Sequence, residues 1–313
     1  MHAGNRVLRV CTWASAVTAA GATAGPASDS TCFPGNPANQ DDNAITGFAW
    51  RLPDDPGCAR SARAHVRQAL AGLRLPEKLV EDAELAVSEL AVNAWQHALD
   101  AKPLPEAAGP YAALPELWLY RRGMQPGAEL VCGVFDTRRD AWPRPRPDSL
   151  RLLPDDDELA DPLLDAILAD DPESGRGLRI IQAISHATGC HRTRSRLNSF
   201  PVPGKVAWFT MKIPASSPAA CPPPAELTPV QAAHTLSALL SARGIPGISH
   251  HHGTRTQSVV SIAAGLTVRC RDGIFQWLAD SVEQRAFFDL TDTVEDIIRL
   301  HENLASARLQ AGG

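Results

Sequence analysis

Runs of apolar residues at two spacings divide the chain into candidate elements. Phe48-Ala-Trp-Arg-Leu52 alternates and stops at Pro53, the pattern of a strand. Across residues 59–73, Ala62, Val66, Ala69, Leu70 and Leu73 recur at helical spacing and predict a helix. Pro76 opens a second predicted helix, where a missing N–H costs nothing, and it runs to about residue 99. Its apolar stripe is Leu79, Ala83, Ala86, Val87, Leu90 and Ala94. Residues 117–120 and 129–135 read as strands around a glycine-containing turn. A long stretch rich in Pro and Asp follows, residues 136–173, with one short helix expected over 158–169. A third helix is expected over 177–187, then a hairpin from 190–196 and 205–213.

After a Pro-rich linker, 215–225, the pattern starts again. A helix is expected over 226–242, strands over 259–263, 266–270 and 273–278, and a final helix over 291–306. The final helix carries Val294, Ile297, Ile298 and Leu300. The expected organisation is a leader (1–45), a main domain (46–214), the linker and a small α+β unit (226–313). The leader is rich in Gly, Ala, Ser, Pro and Asn and is expected to be disordered.

Composition narrows the function classes. The chain has 313 residues, 44% of them hydrophobic, and a net charge of −5. That charge disfavours a general nucleic-acid binder, which needs a basic excess. The longest small-residue run near the start, 14–24, is too short and too rich in Ala, Thr and Gly to span a bilayer. The seven cysteines are scattered without a CxxC, which fits a reducing cytoplasm better than zinc or a disulfide framework. No membrane and no nucleic acid are therefore expected as partners, and the expected location is the cytoplasm.

Chemistry concentrates on the second helix and beyond it. Glu89, Asn93 and His97 form a polar stripe at i, i+4, i+8 beside the apolar one, either facing water or lining a cleft. His97 reads more readily as a helix-end cap than as a catalytic group. Asp136 stands at the tip of the apolar strand Val131-Cys-Gly-Val-Phe-Asp136. Ser174-Gly-Arg-Gly-Leu178 opens a helix, where backbone N–H groups and the helix dipole favour an anion.

The order of these features resembles the GHKL superfamily of ATP-binding proteins, the Bergerat fold. The nearest likeness is to its anti-sigma-factor serine/threonine kinases. Ala86-Val-Ser-Glu-Leu-Ala-Val-Asn-Ala-Trp-Gln-His-Ala98 resembles the N-box of that branch. Glu173-Ser-Gly-Arg-Gly-Leu178 resembles its second glycine box, and Lys205-Val-Ala-Trp208 its final strand. The resemblance covers about residues 48–214. It implies an α+β two-layer sandwich, with a mixed sheet and helices on one face. It implies ATP and Mg²⁺ as cofactors. Asn93 would hold the metal, Glu89 would act as base near the attacking nucleophile, and Asp136 would accept from the adenine amine. Ser174, Gly175, Arg176 and Gly177 would hold phosphates and let residues 137–172 close as a lid. The first glycine box departs from the family pattern: it reads Asp136-Thr-Arg-Arg-Asp140, without a glycine.

Two functions follow from the resemblance. One is a protein serine/threonine kinase of the anti-sigma-factor type, acting on an anti-anti-sigma factor or holding a sigma factor. The other is a binding module that holds ATP or a partner without phosphoryl transfer. The family also admits a homodimer. The run His250-His-His252 is expected to point to alternate faces of a strand rather than to hold a metal.

Overall fold

The computed structural model describes residues 8–10, 30–32, 47–73, 75–98, 114–123, 127–137, 176–198, 200–215, 225–254, 256–262, 266–271, 274–278, 286–287 and 289–311. The expected short helix 158–169, most of the expected lid and most of the linker lie outside them.

One sheet has six strands in the order β2-β3-β4-β5-β7-β6. They are β2 (Ser30–Cys32), β3 (Phe48–Arg51), β4 (Glu116–Arg122), β5 (Glu129–Asp136), β6 (Ala187–Arg194) and β7 (Pro203–Lys212). Every pairing in it is antiparallel, where a mixed sheet is expected from the resemblance. The reason is connectivity: β6 turns back into β7 as a hairpin, and β7 then runs against β5. β2 comes from the stretch expected to be a disordered leader. Its Ser-Thr-Cys segment supplies ladder partners to the outer side of β3.

Three helices cover one face: α1 (Cys58–Leu70), α2 (Glu77–Ala98) and α3 (Arg176–Ile184). The period-two alternation of the strands decides what meets them. Leu117 and Leu119 of β4, Leu130, Cys132 and Val134 of β5, and Phe209 and Met211 of β7 join Ala62, Val66, Ala83, Val87 and Leu90 in one core. A bidentate Arg67–Glu84 pair ties α1 to α2, with Arg67 Nε and Nη2 at 2.5 and 2.8 Å from the carboxylate oxygens. The helix expected over 177–187 ends earlier, because residues 187–189 already pair with β7.

The second unit is a five-stranded antiparallel sheet, β13-β12-β11-β10-β9. Its strands are β9 (Ser249–Thr254), β10 (Gln257–Ile262), β11 (Leu266–Arg271), β12 (Ile274–Leu278) and β13 (Ala286–Phe287). Helices α4 (Pro229–Ala242) and α5 (Leu290–Ala311) bury Leu236, Leu240, Ile297 and Ile298 with Val260, Val268, Phe275 and Trp277. α4 starts at Pro229 rather than 226 because Thr228 caps it. The Thr228 hydroxyl accepts from Gln231 N, and the Gln231 side chain accepts from Thr228 N. Residues 225–227, expected as the end of the linker and the start of the helix, form β8 (Ala225–Leu227) paired with β1 (Leu8–Val10).

The other face of the six-stranded sheet carries Trp118, Phe135, Val202 and Val206 as a separate apolar cluster. Helix α5 lies against β6 beside it. A two-layer sandwich is therefore the arrangement of the helices α1 to α3 and their sheet, and the C-terminal unit adds a layer behind. That seam is ionic. Glu295 Oε1 lies 2.5 Å from Arg196 Nη2 and 2.9 Å from Arg243 Nη1, and its Oε2 accepts from Thr193 Oγ1 at 2.9 Å. The Arg196 and Arg243 guanidinium groups stand 4.2 and 5.2 Å from the centre of the Trp118 ring. Arg194 Nε pairs with Glu302 at 2.6 Å.

Candidate functional site

The polar stripe of α2 is where its pattern places it. Ala86, Leu90 and Ala94 are buried, while Glu89 and Asn93 are half-buried at the margin of the core. The side chain of His97 lies outside the described residues. The same helix packs on β5 and β7 with one flank and on α3 with another, so Glu89 and Asn93 sit on an element that touches each of the other candidate segments.

Gly177 joins two motifs that are 88 positions apart. A Cβ built on it would lie 2.5 Å from Glu89 Oε2 and 3.4 Å from Glu89 Cβ. The start of α3 is therefore in contact with the α2 carboxylate, an approach that only a residue without a side chain makes at this distance. Ser174 and Gly175 lie outside the described residues, as does the side chain of Arg176, whose backbone begins α3.

Asp136 ends β5 on the helix-facing side, in alternation with Cys132 and Val134, and is 3% exposed. Directly across the ladder stands Lys205 of β7. Its Nζ lies 3.5 Å from Asp136 Oδ2, and both side chains are 5% exposed. Gly204 allows that closeness, since a Cβ there would come 2.1 Å from the Asp136 carbonyl oxygen and 2.6 Å from the Phe135 ring. The neighbouring Thr137 hydroxyl is buried and has no hydrogen-bond partner among the described residues. Cys190 on β6 stands near both charges. Burial pushes its thiol up to about 12, with Lys205 lowering and Asp136 raising it, so it stays neutral.

This donor set fits an adenine nucleotide. A buried carboxylate and an orphaned hydroxyl at the end of β5 are partners for a base edge. A neutral amide oxygen on Asn93, one turn from Glu89, is a hard donor suited to Mg²⁺ beside phosphates. Lys205 opens the segment likened to the final strand, but its place beside Asp136 comes only from the β5–β7 register, and Thr137 stands out only through its burial. Among the described residues no three potential metal ligands converge. His250 instead packs edge-on against His234, with ring centres 4.2 Å apart.

Residues 52–198 match the model of a family described as the histidine kinase-like ATPase domain. No curated protein matches the chain. The matched span holds α1 to α3 and three of the six strands, β4, β5 and β6; β3 ends just before it and β7 begins just after it.

Proposed function

With a histidine kinase-like ATPase domain over residues 52–198 as the premise, we propose that this chain binds ATP with Mg²⁺ and acts as a protein serine/threonine kinase of the anti-sigma-factor type. The contact of Gly177 with Glu89 carries the reading, because it brings the start of α3 to the polar stripe of α2. Asn93 would hold the metal, which would neutralise phosphate charge. Asp136 would accept from the adenine amine. Ser174, Gly175, Arg176 and Gly177 would face the phosphates at the start of α3. Glu89 would take the proton of an incoming serine or threonine hydroxyl. Most of the rate enhancement in such a site comes from positioning and charge neutralisation. The partner is a protein of the anti-anti-sigma or sigma-factor kind.

A second reading is favoured by one observation. Arg138 replaces the glycine expected two positions after Asp136, which suits a module that binds a partner without turnover. Incubating the full chain with ATP labelled on its γ-phosphate and candidate protein partners separates the two. Label on a partner serine or threonine supports the kinase. ATP binding with no labelled partner supports the module.

A further inference from the structure

We propose that Lys205 is the residue that sets the nucleobase preference of this site, by keeping Asp136 an acceptor. The inference rests on the reading of Asp136 as the base-facing group.

A buried carboxylate keeps its charge only beside a compensating group; otherwise it takes up a proton. The two forms read opposite chemistry. An ionised carboxylate only accepts hydrogen bonds, whereas the protonated acid also presents an O–H donor. Adenine carries an amine donor at its six position, and hypoxanthine and guanine carry a carbonyl acceptor there. For a carboxyl that faces the six position of the base, its charge state therefore decides which purine is favoured there.

The fold places the compensating cation deliberately. Lys205 is the ladder partner of Asp136, on the same face, with its ammonium at Oδ2. Gly204, next to Lys205, lets β7 lie against the Asp136 carbonyl. The Cys190 thiol on the flanking strand is neutral and adds no competing charge. Arg192 of β6 stands across from Lys205 in the ladder. The Thr137 hydroxyl offers a further polar contact at the same edge. Lys205 is thus a positioning residue: it acts on the base through Asp136.

The test compares binding of ATP and of inosine triphosphate to the full chain at fixed Mg²⁺, by calorimetry. The wild type is expected to prefer ATP by about tenfold or more, the size of a lost charge-assisted hydrogen bond. Lys205→Met is expected to collapse that ratio, with ATP weakened and inosine triphosphate unchanged or tightened. Lys205→Arg, which keeps the charge, is expected to retain the preference. Should Lys205→Met fail to fold, Lys205→Gln keeps a donor to Oδ2 without the charge and is judged by the same ratio. A wild-type ratio in the uncharged variant, or a ratio in Lys205→Arg as low as in Lys205→Met, overturns the proposal. Wild type that binds both nucleotides alike overturns it while leaving the ATP site standing. Wild type that binds neither overturns the ATP-site reading itself.

Discussion

Glu295 is fully enclosed by the seam between the two units. Burial alone would raise its carboxyl, but Arg243 and Arg196 hold it well below the usual carboxylate range. Glu295→Ala would leave two buried guanidinium groups without their shared partner. The expected cost is about 3–5 kcal/mol, read as a lower urea midpoint for the seam. Glu295→Gln should cost less, since its amide oxygen still accepts. At the site, Glu89→Gln is expected to bind ATP within about threefold of wild type and to lose roughly a hundredfold or more of phosphoryl transfer to its partner. Transfer at the wild-type rate would reduce Glu89 to a helix-margin residue. Little of this was legible beforehand. Glu89, Asn93 and Asp136 stand out by spacing and by position at a strand tip, whereas Lys205 and Glu295 act through cross-strand and inter-unit neighbours that no local pattern encodes.

Among elements, α2 was readable almost to its ends, because its apolar stripe, its opening proline and its first-turn Glu77 all agree. β13 was not, and β9 was read only as a strand under the histidine run, without its bounds. Ser249–Thr254 holds three histidines and a glycine, and gains its strand form from pairing with β10. α5 was found as an amphipathic helix, but its second stripe of Asp292, Glu295 and Glu302 hid the docking face. Asp292 shows what that face does with pH. Burial first, then the neighbouring Asp289, raises its carboxyl to about 7. Tyr120 and Arg122 oppose the rise, and Glu295 adds to it. An acid raised above its unfolded value binds its proton more tightly when folded. Its contribution is present below about pH 4 and is lost as pH rises towards 7. Glu295 runs the other way, its contribution fading only as pH falls below about 4. Asp292→Asn, which can still accept from Tyr120, should therefore gain melting temperature over wild type progressively between about pH 4 and 7. A difference that stays constant across that range would contradict the assignment. At the other helix of this unit, Thr228→Ala should cost about 1 kcal/mol by thermal unfolding, since it removes the capping box of α4.

The whole molecule is organised by the two faces of one sheet. Helices α1 to α3 take the face that carries Asp136, and the C-terminal unit takes the face that carries Trp118. A chain ending at Pro214 should keep the nucleotide site, since the residues assigned to it precede that point. It should also uncover Trp118 and Tyr120, raising binding of a hydrophobic dye. Among the described residues no helix is long and apolar enough to cross a membrane. Helix and strand patterning returns beyond the Pro-rich segment, where the second sheet and its helices lie. The docking between the units was not visible in the sequence, because an ionic seam buries charged residues that sequence reading assigns to the surface. The central claim is the nucleotide site between α2, α3 and the end of β5. Calorimetry of the full chain with ATP, with and without Mg²⁺, in wild type and Asn93→Ala, tests it most directly. Saturable binding that needs Mg²⁺ and is lost in Asn93→Ala, with the fold unchanged by circular dichroism, is the expected result. No binding by wild type at millimolar ATP and Mg²⁺ would contradict it.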